Sequence, residues 1–237
     1  MLLRCVPVAA LCFIGMIGSV EADVIGAATS AKNDVSGRLG SAVQTLTIGS
    51  EVSGNEVVTT GSDSATLLRF LDNTNLNIGA SSTVVLDRFV FNPDGSAANA
   101  VINISRGAMR FVTGNSNPDN FAIHTDVATI GVRGTDFVVF CNGHGTCIVA
   151  IKKGIVTICP HPNSSLDACG DLYQIDPVNN YTLIGPGGKT KGAQQIAFDL
   201  VQRLYGIIAD GGKFDVASLA PGYQVPPPSA PLPTSPY

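Results

Sequence analysis

Short runs of apolar or alternating residues recur along the middle of the chain, separated by Gly, Asn and Asp. Many such runs at a spacing of about 8–12 residues, with turn residues between them, are typical of all-β proteins. The runs lie at 56–60, 65–70, 76–78, 83–86, 101–105, 108–112, 121–125, 135–141, 147–151, 155–159, 172–175 and 181–184. The pattern therefore predicts a mainly β domain built from many short strands.

Two features of these runs distinguish between the possible β architectures. The runs are very short, and Asn and Gly recur at the corners between them, as at Asn73, Asn75, Asn77 and Gly79. Both features favour a short β-solenoid, or β-helix-like domain, over the alternative of a β-sandwich. No repeat of fixed period is present, which excludes the regular repeat arrays.

The pattern changes after the turn-forming residues 185–188. Apolar residues then recur at spacings of three and four between 194 and 208, which predicts an amphipathic helix within 191–212, with its apolar face packed on the domain. Gly211 and Gly212 are expected to end this helix. Seven of the last seventeen residues are Pro, so residues 213–237 are expected to form an extended Pro-rich tail, either a tether or a proline-rich recognition segment.

The N-terminal residues have the features of a secretory signal. Arg4 precedes the apolar run 5–20, and Val20 and Ala22 place small residues three and one positions before a cleavage site. Residues 1–22 are therefore expected to be a signal peptide, followed by an N-terminal lead at 23–42 and a first strand at 44–48. We expect a periplasmic or secreted mature protein without an integral membrane segment.

Composition excludes two classes of protein. Charged residues make up 14% of the 237 residues, against about 25% in typical soluble domains, and hydrophobic residues make up 45%. This composition is unlike that of a disordered polyelectrolyte. The net charge is −4 and no block of basic residues occurs, which argues against a nucleic-acid partner.

Several segments resemble the FecR-domain family. The core resemblance lies at 107–114 (GAMRFVTG), 121–125 (FAIHT) and 128–137 (ATIGVRGTDF). Further segments resemble the family's opening strands and closing turn, and these lie at 57–61, 65–70, 76–79, 84–87 and 183–188. Together the resemblance spans a domain at residues 43–190.

The resemblance implies a non-enzymatic bacterial envelope protein whose β-rich periplasmic domain binds other proteins. The best-known members regulate extracytoplasmic sigma factors, and they carry a cytoplasmic helical segment and a transmembrane helix before that domain. Here a targeting signal and a short lead precede it. We therefore expect a free-standing module for protein interaction or sensing, linked to envelope signalling, with an envelope protein as its partner.

The most specific string contains two glycines and two charges. Gly131 and Gly134 flank Val132 and Arg133, and this spacing suggests positive-φ corners or a close backbone approach. Arg133 and Asp136 are expected to form a charge-assisted pair within the fold, so Arg133→Ala should lower the melting temperature by several degrees. The alternative is that Arg133 is presented to a carboxylate ligand.

Four cysteines follow the signal, and they allow three pairings. The short segment between Cys141 and Cys147 resembles a hairpin loop, and Cys159 and Cys169 bracket a second loop. The predicted disulfides are 141–147 and 159–169. A zinc site that includes nearby histidines is the alternative, but the sequence has no Cys-x-x-Cys knuckle and secretion favours disulfides. No metal or cofactor is expected.

The enzymatic alternative is a secreted polysaccharide-binding or polysaccharide-cleaving β-helix protein. Paired carboxylates on one solenoid face could perform acid–base chemistry on a glycan. The candidates are Asp87, Asp94, Asp119 and Asp126, and the histidines are His124, His144 and His161. Nothing in the sequence pairs these groups, so no catalytic residue is assigned.

One pair of aromatic residues suits either the hydrophobic core or a binding surface. Phe89 and Phe91 are two residues apart and project to the same side of a strand. We expect the two rings to belong to the core, with a partner-binding surface as the alternative.

Overall fold

The computed structural model describes residues 23–178, 180–190, 192–195 and 198–212. The predicted signal peptide and the predicted Pro-rich tail lie outside the described residues. One α-helix is described, α1 (Phe198–Asp210). The strands within these ranges are β1 (Val24–Lys32), β2 (Val35–Leu39), β3 (Ala42–Thr45), β4 (Glu51–Ser53), β5 (Glu56–Thr60), β6 (Ala65–Phe70), β7 (Asn75–Ile78), β8 (Thr83–Phe91), β9 (Ala97–Val112), β10 (Phe121–His124), β11 (Thr129–Asn142), β12 (Cys147–Cys159), β13 (Tyr173–Ile175) and β14 (Tyr181–Ile184).

The strands form one large mixed sheet. Its main order is β13-β12-β11-β10-β9-β7-β6-β1-β4, and β14 also pairs with β12. A branch begins at β9 and continues by successive pairings through β8, β5, β2 and β3. The mainly β class and the C-terminal helix are confirmed. The β-solenoid is not confirmed: among the described strands only β9 and β10 pair in parallel, whereas a β-helix stacks parallel coils throughout.

The long strand β9 joins the branches of the sheet. Its first half pairs with β8 on one side and with β10 on the other. Its second half pairs with β7 and β11. A strand of 16 residues can pair with four neighbours, because two of them pair with its first half and the other two pair with its second half.

The sheet starts earlier than the sequence indicated. β1 pairs with both β6 and β4, and β2 pairs with both β3 and β5, so the expected lead at 23–42 is part of the fold. The misleading feature was the small-residue composition of β1. Small residues are required there, since an added Cβ at Gly26 would overlap the carbonyl oxygen of Arg69 on β6.

The main hydrophobic core lies against one face of β9, β10 and β11. Phe111, Phe137 and Ile130 are fully buried. The Phe111 ring lies 5.3 Å from that of Phe121 and 5.7 Å from that of Phe137, measured between centroids. Burial of each such large side chain contributes about 1.5–3 kcal/mol.

A second core lies on the opposite face of the sheet, where α1 packs on residues of β9, β11 and β12. Successive strand residues face opposite sides, so Phe137 enters the main core while Val138 and Phe140 contact the helix cluster. Leu204 of α1 is fully buried in this second cluster. Near the β11–β12 turn, the outer face of these two strands is therefore covered as well as the inner one.

The helix is fixed at its C-terminal end. α1 ends at Asp210, where the N–H groups of Gly211 and Gly212 donate to the carbonyls of Ile208 (3.4 Å) and Ile207 (2.9 Å). This backbone pattern satisfies carbonyls at the end of a helix. Lys32 of β1 adds a hydrogen bond from Nζ to the Asp210 carbonyl, at 2.7 Å. Within the described ranges, no helix combines the length and apolar character needed to cross a membrane.

The docking of α1 can be tested at its most buried leucine. We expect Leu204→Ala to lower the free energy of unfolding by about 2–5 kcal/mol, because the truncation leaves a cavity in the second core. Gln202→Ala, on the same helix at a half-buried position, should change it by less than about 0.5 kcal/mol. Urea denaturation followed by circular dichroism measures both. Equally small losses of stability in the two variants would show that the docking of α1 contributes little to folding.

Candidate functional site

The charged centre of the FecR-like string is an ion pair between two strands. Arg110 of β9 donates from Nε to Oδ1 of Asp136 and from Nη2 to Oδ2, both at 2.8 Å. The two side chains are 29% and 14% exposed, so the pair is partly withdrawn from water. Its hydrogen bonds to Asp136 raise the pKa of Arg110 above its ordinary value. The bidentate geometry fixes the register of β9 against β11 at this point.

The helix α1 covers this pair with an aromatic residue. Tyr205 donates from its hydroxyl to the Asp136 carbonyl at 2.7 Å. The guanidinium of Arg110 lies 4.9 Å from the centre of the same ring, and the Lys152 ammonium lies 5.5 Å from it. Burial raises the pKa of the Tyr205 phenol well above its usual range, so the hydroxyl stays protonated and keeps donating. These contacts join the ion pair to the helix.

The structure corrects the expected pair of Arg133 and Asp136. The carboxylate of Asp136 is taken by Arg110, and Arg133 is exposed. Strand pairing brings Arg110 to Asp136 from β9, where Arg110 lies opposite Val138, two residues further along β11. The available signal was Arg110 itself, a single charge within the apolar strand 108–112, since such a residue requires a partner when it is drawn from water.

The two glycines of the string have different structural roles. Gly134 has φ +62° and lies within the irregular stretch between Arg133 and Asp136. Gly131 is instead a site of close approach, where an added Cβ would overlap Cδ1 of Leu166. Leu166 belongs to the segment 160–172, called here the disulfide loop because Cys169 ties it to β12.

Both predicted disulfides are present. Cys141 and Cys147 face each other across the β11–β12 hairpin, with Cα atoms 4.2 Å apart. Cys159 and Cys169 are joined with Cα atoms 5.9 Å apart. The alternative of a zinc site is not formed because all four sulfurs are bonded in pairs. No group of three potential ligands from His, Cys, Asp and Glu occurs in the part of the chain that the structure describes.

A cleft of about 620 Å³ opens between the sheet and the disulfide loop. Its floor includes the small residues Ala122, Gly131 and Thr157, which lie directly opposite one another on β10, β11 and β12. Leu166 and Leu172 of the disulfide loop line it from the other side. The volume lies within the range of about 300–1,000 Å³ that is typical of ligand sites. We call this feature the β11 cleft.

Polar groups without internal partners also line the β11 cleft. They include Asp119, Asp167 and Arg133, all three exposed. Within the described ranges, neither carboxylate forms an ion pair, and Arg133 forms none either. The cleft therefore offers charges that the fold itself does not neutralise.

His124 lines the same cleft and is half-buried. Burial lowers the pKa of the imidazole below its ordinary value, and the nearby Asp87 carboxylate opposes this shift. The ring is therefore neutral at pH 7, with one nitrogen able to donate a hydrogen bond and the other able to accept one.

The four carboxylates of the glycan alternative are dispersed. Asp87 accepts a hydrogen bond from Asn103 at 3.1 Å, and Asp94 binds Ser96 in the β8–β9 turn. Asp126 is exposed in the β10–β11 turn. Of the four, Asp119 alone lines the β11 cleft. The structure does not bring these carboxylates together as an acid–base pair.

The remaining candidates have local roles. His161 lies 3.3 Å from Asp171 on the exposed disulfide loop, and His144 is exposed in the β11–β12 turn. Phe89 and Phe91 are partly buried and pack against the main core, where the Phe89 ring lies 4.7 Å from that of Phe70. These two aromatic rings therefore contribute to packing.

The geometry defines a mainly β domain with two disulfides and an open cleft on one face of its sheet. Residues 56–157 match the family model described as FecR protein, so this part of the chain is similar to that family. Arg110, Gly131, Arg133 and Asp136 all lie within the matched residues, whereas the disulfide loop and α1 follow them.

Two solved structures show a limited likeness to this chain. Both are crystal structures of a protein proposed to be an anti-sigma factor from Parabacteroides distasonis. Each aligns at 13% identity and a TM-score of 0.42, over 58% of this chain and 60% of its own. This chain thus matches less than two thirds of that protein's length. No curated protein matches the sequence.

The two arginines provide a direct test of this site. We expect Arg110→Ala to lower the free energy of unfolding by about 2–4 kcal/mol, because it leaves the Asp136 carboxylate partly buried without its partner. Arg133→Ala should change it by less than about 0.5 kcal/mol, since this side chain is exposed. Urea titrations of both variants measure these two changes in the free energy of unfolding. A larger loss of stability in Arg133→Ala than in Arg110→Ala would contradict this assignment and favour the pairing of Arg133 with Asp136 that the sequence predicts.

The environment of His124 predicts a pH dependence of stability. Its folded pKa lies below the ordinary value of 6.5, so the unfolded chain binds more protons when the pH falls below that value. The stability that His124 contributes is therefore present above about pH 6.5 and is lost as the pH falls through the folded pKa.

The free energy of unfolding, measured from pH 8 to pH 5, tests this relation. His124→Gln should reduce the loss of stability on the acid side, while His144→Gln, at an exposed position, should leave the wild-type profile unchanged. Identical profiles for His124→Gln and the wild type would contradict the assignment.

Proposed function

We propose that this protein is a periplasmic or secreted FecR-like module that binds another envelope protein in a signalling-related role and catalyses no reaction. The observation that carries the proposal is an open cleft whose floor lies in the residues that match the FecR family model, and whose charged groups form no ion pair with another described residue. Because these charged side chains are exposed, they are accessible to a partner, whereas Arg110 is already bound by Asp136.

The location rests on the cysteines and on the N-terminal pattern. Disulfides persist in oxidising compartments such as the periplasm and the exterior of the cell, and both cysteine pairs here are bonded. The residue pattern at 1–22 is that of a secretory signal. Both features are consistent with an extracytoplasmic protein.

The absence of a catalytic role is supported by the dispersed carboxylates. Glycosidases place two carboxyl groups on either side of the scissile bond, at most about 9.5 Å apart. Asp94 and Asp126 lie in separate turns, and Asp87 is engaged by Asn103. Asp119 and Asp167 do line the same cleft, so the glycan alternative is kept as an outcome of the test below.

Chemical cross-linking in intact cells, followed by purification and mass spectrometry, tests the proposal. The wild-type chain should retain one envelope protein in stoichiometric amount. Leu172→Lys should lose it, because this side chain lines the β11 cleft and is 40% exposed. Val178→Lys is the matched control, since Val178 is 65% exposed and lies outside the residues that line the cleft.

Each other outcome has a definite meaning. Retention of glycan without any protein would contradict the proposal and favour the carbohydrate alternative. Equal retention of the envelope protein by Leu172→Lys and Val178→Lys would leave a protein-binding role intact but remove it from the β11 cleft.

A further inference from the structure

The charges of the β11 cleft are unbalanced. Asp119 and Asp167 supply two carboxylates, and Arg133 supplies one guanidinium. His124 adds a neutral ring that can donate or accept a hydrogen bond. The lining is therefore net acidic, and none of its three charged groups forms an ion pair with another described residue. A cationic ligand complements this lining better than an anionic one.

The apolar part of the cleft suits a particular kind of cation. Leu166 and Leu172 line the cleft beside a floor of Ala122, Gly131 and Thr157, and Leu166 itself packs on Gly131. A Lys or Arg side chain has a long apolar stem and a charged end, and such a stem commonly lies along apolar surface while the charge reaches polar groups. The leucines can contact the stem, and the carboxylates can receive the charge.

We infer that the β11 cleft binds a basic side chain, Lys or Arg, from a short segment of a partner protein, with Asp119 and Asp167 as the groups that receive its charge. This inference rests on the proposed function and specifies the chemistry of the partner. In it, Arg133 is not a ligand, and its positive charge opposes the binding of the basic side chain.

Blocked pentapeptides that differ only at a central Lys, Glu or Gln provide the probe. Titration into the isotopically labelled mature protein, followed by NMR, should move the signals of the His124 ring and the Leu166 methyl groups with the Lys peptide. The Glu peptide should cause no comparable change. Raising the salt concentration should weaken binding of the Lys peptide, because the contact is ionic.

Removal of a carboxylate and removal of the guanidinium should change the affinity for the Lys peptide in opposite directions. Asp119→Asn and Asp167→Asn should each weaken Lys-peptide binding by about threefold to fivefold, and Asp126→Asn, in an exposed turn outside the cleft, should not. Arg133→Ala should strengthen it. Preferential binding of the Glu peptide that is lost in Arg133→Ala would overturn the inference, as would the absence of binding by any of the three peptides.

The cell cross-linking experiment, repeated with the Asp119→Asn/Asp167→Asn double variant, separates this inference from the proposed function. Loss of the partner by the double variant, with the fold intact by circular dichroism, supports the inference. Equal capture by the wild type and the double variant would overturn the inference while the proposed function stands. Capture of no protein by the wild type would overturn the proposed function itself.

Discussion

Near its turn, at residues 137–141 and 147–151, the hairpin of β11 and β12 is buried on both faces, and this double burial governs how the segments around it are arranged. A charge within such a hairpin needs a partner drawn from elsewhere in the fold. Asp136 meets that need through Arg110 of β9, and Tyr205 of α1 then binds the Asp136 carbonyl and covers the guanidinium. A single residue, Asp136, thus connects β9, β11 and α1 through its carboxylate and its backbone carbonyl.

The outer face of the hairpin has two different covers. Over one half of β11, α1 supplies apolar side chains such as Leu204 and closes the surface completely. Over the other half, the disulfide loop (residues 160–172) contacts the sheet through Leu166 and leaves the β11 cleft open. A helix with a continuous apolar face can seal a sheet, whereas a short loop held by the Cys159–Cys169 bond covers only part of it.

The same short string therefore serves folding and recognition with different side chains. Asp136 and Gly131 take part in internal contacts, while Arg133, between them in sequence, faces solvent at the cleft. The family match ends at residue 157, before both covers begin. In this chain, the matched strands provide the floor of the cleft, and the later segments shape its opening.

Sequence alone determined the features that depend on neighbours along the chain. Residue periodicity indicated the strands and the helix, and the short loop after Cys141 placed Cys147 opposite it. Only the tertiary structure decided which arginine pairs with Asp136, that β1 enters the sheet, and that Leu166 packs over Gly131. Each of these depends on strand register or on close packing between distant segments. The nearest basic residue in sequence, Arg133, was the wrong partner because strand pairing brings Arg110, 26 residues away in sequence, to Asp136.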